Sequence, residues 1–377
     1  MTLVAASRQL VRVTSRRLDS KIEPLQYKEE GQSSSSDDLR APQHETNNQT
    51  VLCTISESSK LVATPLASSD FPRGSTSYPS TPCIIHIHTI LIPHHVCEVA
   101  SVCLGGHLGR AEAVPGYGGY NVVWQENFNG AAGSLVNEGN WNIIERARAD
   151  NANNEWQTYT RSNQNHQLSG GATLQIVPLN NNGWTSARLE SKYVFTPPDG
   201  RRTMIEAKIR FGANAAAQKQ GIWPAFWLLG DSIRHGTAWP ACGEVDILEM
   251  VNGVLTGYGT VHCDVAPGGI CNEYNGIGGN TGIGDNGWHT WRVTIDRTPG
   301  NWVDESITWY RDGAQFMQVT GGRINNVNVW NSLATTPLYI ILNVAVGGDW
   351  PGAPNAQTLG SWGSEMEVAY VAQYQST

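Results

Sequence analysis

A chain of 377 residues with 33 acidic and 25 basic side chains carries a formal charge of -8, so its surface repels nucleic-acid phosphates rather than gathering them. No internal repeat or sustained helical period is present, and no segment is apolar for long enough to span a membrane. The length admits one large domain or two modest ones. Its 40 glycines and 14 tryptophans, against only 15% charged residues, suit an all-β protein with frequent turns and an aromatic-lined cleft.

From Met1 to Ala113 little has the character of a folded domain. The polar tract Gly31-Gln-Ser-Ser-Ser-Ser-Asp-Asp38 and scattered prolines read as disordered or unprocessed sequence. Arg8, Arg12, Arg16 and Arg17 precede the first acid at Asp19 and resemble a mitochondrial transit peptide, a reading at odds with the chemistry downstream. Cys83-Ile-Ile-His-Ile-His-Thr-Ile-Leu-Ile-Pro-His-His-Val-Cys97 holds the residue types of a zinc site, but its spacing fits no standard finger. An apolar, His-rich segment is the better reading. Ala111-Glu-Ala113 matches a signal-cleavage pattern, yet His94, His95, Glu98 and Arg110 interrupt the apolar region before it. An incorrectly assigned start or an unspliced segment would account for both features. Residues 1–113 are therefore set apart from a folded domain at 114–377.

Regular alternation starts after that boundary. Arg202–Phe211 puts Ile205, Ala207, Ile209 and Phe211 on one face, with Glu206, Lys208 and Arg210 on the other. Next comes Glu244-Val-Asp-Ile-Leu-Glu249, three carboxylates in six residues on a stretch that otherwise reads as a buried strand. Strand parity places Glu249 opposite to Glu244 and Asp246, and one extra residue inserted as a β-bulge restores all three to one face. The flanks Trp239-Pro-Ala-Cys-Gly243 and Met250-Val251 are aromatic and apolar, with no Lys or Arg within the run, so a solvated acidic face is a poor explanation. Cys242, read as lying inside this strand, is expected to be a small buried hydrophobe.

Seven cysteines leave at least one unpaired. Cys263 and Cys271 flank a Pro-Gly-Gly turn and are expected to form a disulfide rather than remain free thiols. Alternation continues at Trp291, Val293 and Ile295, at Ile307 and Trp309, and at Met366, Val368, Tyr370 and Ala372. Turns fall at Asn252-Gly253 and Arg311-Asp-Gly313. Many short strands with no helix between them predict a jelly-roll sandwich of two antiparallel sheets with a concave substrate cleft.

Two carboxylates on one surface are the equipment of glycoside hydrolysis, one protonating the leaving oxygen and the other attacking the anomeric carbon or activating a water. At about 3.3 Å per residue the Cα atoms of Glu244 and Glu249 lie on the order of 13 Å apart along a bulged strand. Long side chains leaning together over Asp246 close that to the roughly 5–5.5 Å of a retaining pair.

Several motifs in order resemble glycoside hydrolase family 16: Asn153-Asn-Glu-Trp-Gln-Thr-Tyr-Thr160, Ile205-Glu-Ala-Lys-Ile209, Gly221-Ile-Trp-Pro-Ala-Phe-Trp-Leu-Leu-Gly230, the acid run, Thr260-Val-His262, Trp288-His-Thr-Trp-Arg292 and Leu342-Asn-Val-Ala-Val-Gly-Gly-Asp-Trp-Pro351. The likeness covers Val114–Thr377 and nothing before it. The longer ExDxxE form resembles the laminarinase-like branch, most similar to secreted fungal enzymes, rather than lichenases and xyloglucan transferases. That implies an endo-β-1,3- or 1,3(4)-glucanase whose partner is a β-glucan polysaccharide, acting as a monomer, secreted or in the cell wall, without a cofactor. It implies Glu244 as nucleophile, Glu249 as general acid/base and Asp246 as the residue between them. Three crowded carboxylates also split their titrations, as that division of labour requires.

His262 matches a family histidine near the acid/base, and structural and functional roles weigh equally for it. Trp223, Trp227 and Trp350 are candidates to stack on glucosyl rings, set against the common use of Trp in a sandwich core. Glu155 and Asn343 are equally explained by structural hydrogen bonding. No metal is expected in catalysis. A structural calcium occurs in the family, but no ligand set for one can be named here. Transglycosylation, galactan cleavage and a non-catalytic glucan-binding lectin on the same sandwich are the rival functions, and the intact acid triad speaks against the last.

Overall fold

The computed structural model describes residues 112–377 and, ahead of them, the backbone of two strands, His86–Ile92 and His95–Ser101. These two pair antiparallel from His86↔Ser101 to Ile92↔His95, inside a unit of Met1–Cys103 distinct from Leu104–Thr377. This hairpin lies within the segment that the sequence sets apart from the folded domain. Its first strand, His-Ile-His-Thr-Ile-Leu-Ile, is dense in β-branched residues that favour extended backbone. The polar tract, the Arg-rich start and the side chains of the Cys83–Cys97 stretch lie outside the described residues.

In the second unit the alternating sequence closes into two large antiparallel sheets. One has seven strands in the order Ile277–Gly282, Thr256–His262, Glu244–Glu249, Ile222–Gly230, Leu338–Val346, Arg188–Phe195 and Trp141–Ile143. The other runs Ala314–Thr320, Ser306–Arg311, His289–Asp296, Arg202–Phe211, Met366–Ser376, Leu174–Ile176 and His166–Leu168, with Tyr120–Glu126 also pairing with Met366–Ser376. Inward side chains of both sheets form one apolar core, including Phe226, Leu228 and Val261 from the first and Ile205, Val293 and Trp309 from the second.

Two expectations change. Glu206, assigned to a polar outer face, is only 1% exposed. The chain at Val114–Tyr120 packs over that face, and the Tyr117 and Tyr370 hydroxyls donate to the Glu206 carboxylate at 2.8 and 2.9 Å. A helix also interrupts the run of strands at Val327–Ala334. The Asn326 side chain caps it by accepting from the backbone N–H groups of Asn328 and Val329, while Trp330 and Leu333, three residues apart on one face, are buried.

The acid strand is bulged as its parity demanded. On one side Trp227 pairs with Asp246 but Phe226 with Leu248, and on the other Asp246 pairs with Thr260 but Glu249 with Tyr258, so one residue is extra on both. Adjacent Ile247 and Leu248 consequently both enter the core. The Asp246 carbonyl, where the ladder is disturbed, accepts from the Trp309 indole N–H at 2.7 Å. Trp309 fits there because its neighbour in the packed strand is Gly259, where an added Cβ would stand 2.5 Å from the Trp309 ring. Gly259→Ala is therefore expected to cost roughly 1–3 kcal/mol by overpacking. Urea unfolding would measure this, and a variant as stable as the parent would contradict the packing described.

Candidate active site

The bulge puts three strands' polar side chains on one wall. Glu244, Asp246 and Glu249 face the same way as their cross-strand partners His262, Thr260 and Tyr258. On the other neighbour, Trp223, Ala225, Trp227 and Leu229 share that face. Above it opens a cleft of about 790 Å³ lined by Glu244, Glu249, His262, Trp223, Trp350 and others.

Each outer acid is held by an indole. The Trp239 N–H donates to Glu244 at 3.2 Å, and the Trp223 N–H donates to Glu249 at 3.0 Å. Asp246 lies between them, and its Oδ2 is buried with no hydrogen bond; His262 Nε2 stands 3.5 Å away. The other imidazole nitrogen, Nδ1, lies 2.7 Å from the buried Glu273 carboxylate, whose second oxygen accepts from the Cys263 backbone N–H at 2.8 Å. The Cys263–Cys271 disulfide, with Cα atoms 5.4 Å apart, closes the loop just before Glu273. The sequence expectation for that pair therefore holds. Cys242 is free and 1% exposed as expected, though it precedes the strand, which begins at Glu244.

Crowding and burial raise all three acids. Burial pushes Glu249 up to about 7, partly offset by His262 and the Trp223 N–H. Asp246 goes well above the ordinary carboxylate range through burial and the charges of Glu249 and Glu244. Glu244 is also raised by burial, against the lowering effect of His262 and Arg188. For His262 burial favours the neutral ring, but Glu273 and Glu244 together outweigh it and raise its affinity for a proton. An imidazolium there answers the negative charge of the acids, and titrations so coupled belong to the cluster.

Of the aromatic candidates, Trp223 and Trp350 meet edge to face in the cleft, ring centres 5.6 Å apart, and Trp350 is 46% exposed. Trp227 shares their face but is not among the lining residues. Its N–H donates to Asn343 at 2.7 Å, and the Arg188 guanidinium lies over its ring at 4.7 Å, so it braces the floor beside the cleft. Asn343 in turn donates to the Tyr159 hydroxyl, and Glu155 accepts from Gln157 and Tyr159. Both are engaged in structural hydrogen bonds.

Sequence reasoning missed Trp239, Tyr258, Tyr274 and Glu273. Trp239 and Tyr274 stack at 6.0 Å and line the cleft. Trp239 was visible as the aromatic flank of the acid run. Glu273 had as its only signal an acid two residues beyond a disulfide cysteine. Among the described residues, Glu244, Asp246 and His262 are the one group whose donor atoms, all within 4.8 Å, match a cation's needs. The Trp239 N–H already donates to Glu244, and the surrounding acids raise the affinity of His262 for a proton, which suits proton chemistry.

Glu273→Gln removes the charge that raises His262, so the histidine's pKa is expected to move down. Its NMR titration reads this directly, and an unchanged titration would show that Glu273 does not set the ring's protonation.

Residues 137–322 match the family described as an XgeA-like, catalytic GH16 domain. The chain is 30% identical to a β-glucanase of Rhodothermus marinus over 230 residues, which make up 59% of this chain and 74% of that protein. It is 30% identical to glucan endo-1,3-β-glucosidase A1 of Niallia circulans over 291 residues, 69% of this chain but only 38% of that longer protein. Among solved structures, an endo-1,3-β-glucanase from Streptomyces sioyaensis is 33% identical with a TM-score of 0.66, the match covering 71% of this chain and 100% of the other. With the two-sheet sandwich, the bulged acid strand and these relatives in agreement, the chain belongs to the glycoside hydrolases of family 16.

Proposed function

We propose that the protein is an endo-acting, retaining hydrolase of β-1,3-glucan or mixed β-1,3(4)-glucan. The observation that carries this reading is the bulge at Ile247, which sets Glu244 and Glu249 on one wall of an open cleft with a separate indole donor on each. Linkage preference is supported by the ExDxxE spacing and by the names of the three relatives reported above, a β-glucanase, a glucan endo-1,3-β-glucosidase and an endo-1,3-β-glucanase. The disulfide fits an oxidising, extracellular location.

In this mechanism Glu244 attacks the anomeric carbon while Glu249 gives its proton to the departing glycosidic oxygen, leaving a glycosyl ester on Glu244. Glu249, now ionised, takes a proton from water as the water attacks the same carbon and frees Glu244. Glu249 suits the first step because its raised pKa keeps it protonated up to about neutral pH. Asp246 is raised by burial and by the charges of Glu249 and Glu244, which favours a proton on it and leaves negative charge to Glu244. Trp223 and Trp350 offer apolar faces to sugar rings. Catalysis is assigned to residues 114–377.

Product analysis on laminarin, mixed-linkage glucan and agarose tests the substrate class. Cleavage of the two glucans is expected, and cleavage of agarose alone would replace this reading with a galactanase. Glu244→Gln should remove nearly all turnover while leaving glucan binding within a fewfold of the parent, and substantial residual hydrolysis would overturn its role. The pH profile carries a further test. Rising pH strips the proton that Glu249 must donate, so kcat/KM is expected to fall on the alkaline side near pH 7. Trp223→Phe deletes a hydrogen bond that favours ionised Glu249 and should move that limb to higher pH. A limb that stays in place would detach it from Glu249.

A further inference from the structure

Two of the tryptophans are largely exposed, Trp350 at 46% and Trp362 at 45%. Trp350 lines the cleft. Trp362 lines a second cavity of about 380 Å³, together with Asn163, Gln164, Gln167, Asn181 and Leu179. Gln167 places this cavity on the sandwich. Its neighbours His166 and Leu168 are buried, so alternation turns Gln167 to the outer face of the sheet opposite the catalytic wall.

We propose that this cavity is a second saccharide-binding surface, which holds a segment of the same neutral β-glucan chain that the cleft cuts. The proposal rests on the reading of the cleft for its ligand, and on the cavity's own chemistry for the rest. No charged side chain lines it. Four carboxamides offer both donors and acceptors, the complement of sugar hydroxyls, beside an indole whose face suits the apolar side of a pyranose ring. Among the described residues the side chains of Gln164, Gln167 and Asn181 have no hydrogen-bond partner, and Asn163 has one, to the Gly133 carbonyl.

The cavity is also rigidly built. Asn165 ties the loop before Gln167 to Val177, donating from its side chain to the Val177 carbonyl at 3.0 Å and accepting from the Val177 N–H at its own carbonyl at 2.7 Å. The Ser361 N–H donates to the Pro178 carbonyl at 2.6 Å, and Gly360 lies so close that a Cβ there would stand 2.6 Å from the same oxygen. Trp362 is thereby fixed beside Leu179. A preformed site loses little freedom on binding.

The surface would keep the enzyme on an insoluble chain between cuts, raising the local concentration of substrate at the cleft. The test uses the full chain with Glu244→Gln, so that glucan is bound and not consumed, and compares it with the same protein carrying Trp362→Ala. Sedimentation with insoluble β-1,3-glucan is expected to show at least fivefold weaker binding for the Trp362→Ala protein. In the otherwise unaltered chain, Trp362→Ala and Gln167→Ala should each leave kcat/KM on a short soluble β-1,3-oligosaccharide within twofold while lowering the rate on the insoluble polymer. Equal sedimentation would overturn the inference, as would a matching loss on the short oligosaccharide. Failure of the cleft reading looks different, because the unaltered chain would then hydrolyse no β-glucan, and sedimentation would still decide this surface.

Discussion

One inserted residue governs the site. Without the extra position at Ile247, strand parity would send either Glu249 or the pair Glu244 and Asp246 into the apolar core. With it, Val245, Ile247 and Leu248 fill the core and every acid faces the cleft. The distortion persists because the other sheet supports it, through the Trp309 indole on the Asp246 carbonyl. Core packing and acid placement are thus one arrangement, and the glycines of Thr256–His262 leave the room it needs.

The acids are kept at an electrostatic cost that the fold tolerates. All three have folded pKa values above their unfolded ones, so the folded state binds more protons, and their effect on stability worsens as pH rises from the ordinary carboxylate range through about 7 for Glu249. The Trp239 and Trp223 indole donors and His262 limit that penalty, each favouring the ionised form of an outer acid. The same crowding separates an ionised nucleophile from a protonated acid.

The sandwich, the bulge and the disulfide were legible because each follows from local pattern: period-two alternation, a broken parity, and two cysteines across a turn. Trp223 was a candidate cleft aromatic by alternation, whereas Trp350, in a turn beyond Leu338–Val346, was a candidate only beside the family resemblance. Trp227 was not separable from them, since alternation gives its face but not the Arg188 and Asn343 contacts that hold it beside the cleft. Glu206 looked solvated because strand pattern says nothing of a later segment folding over the outer face. Glu273 was hidden for a related reason. Its partner His262 lies across a disulfide loop, and no periodicity marks a loop carboxylate as buried. The helix at Val327–Ala334 was readable in principle from Asn326 and the spacing of Trp330 and Leu333, but a reading tuned to strands passed over eight residues.

The central claim is that the bulge makes Glu244 and Glu249 a retaining pair, and the configuration of the first product reports on it directly. Proton NMR of the reducing end released in the earliest moments of β-glucan cleavage, before mutarotation, distinguishes the outcomes. Double displacement at Glu244 gives the β-anomer first. An initial α-anomer would mean that water attacks without a glycosyl ester on Glu244, and the roles assigned to the two carboxylates would be wrong.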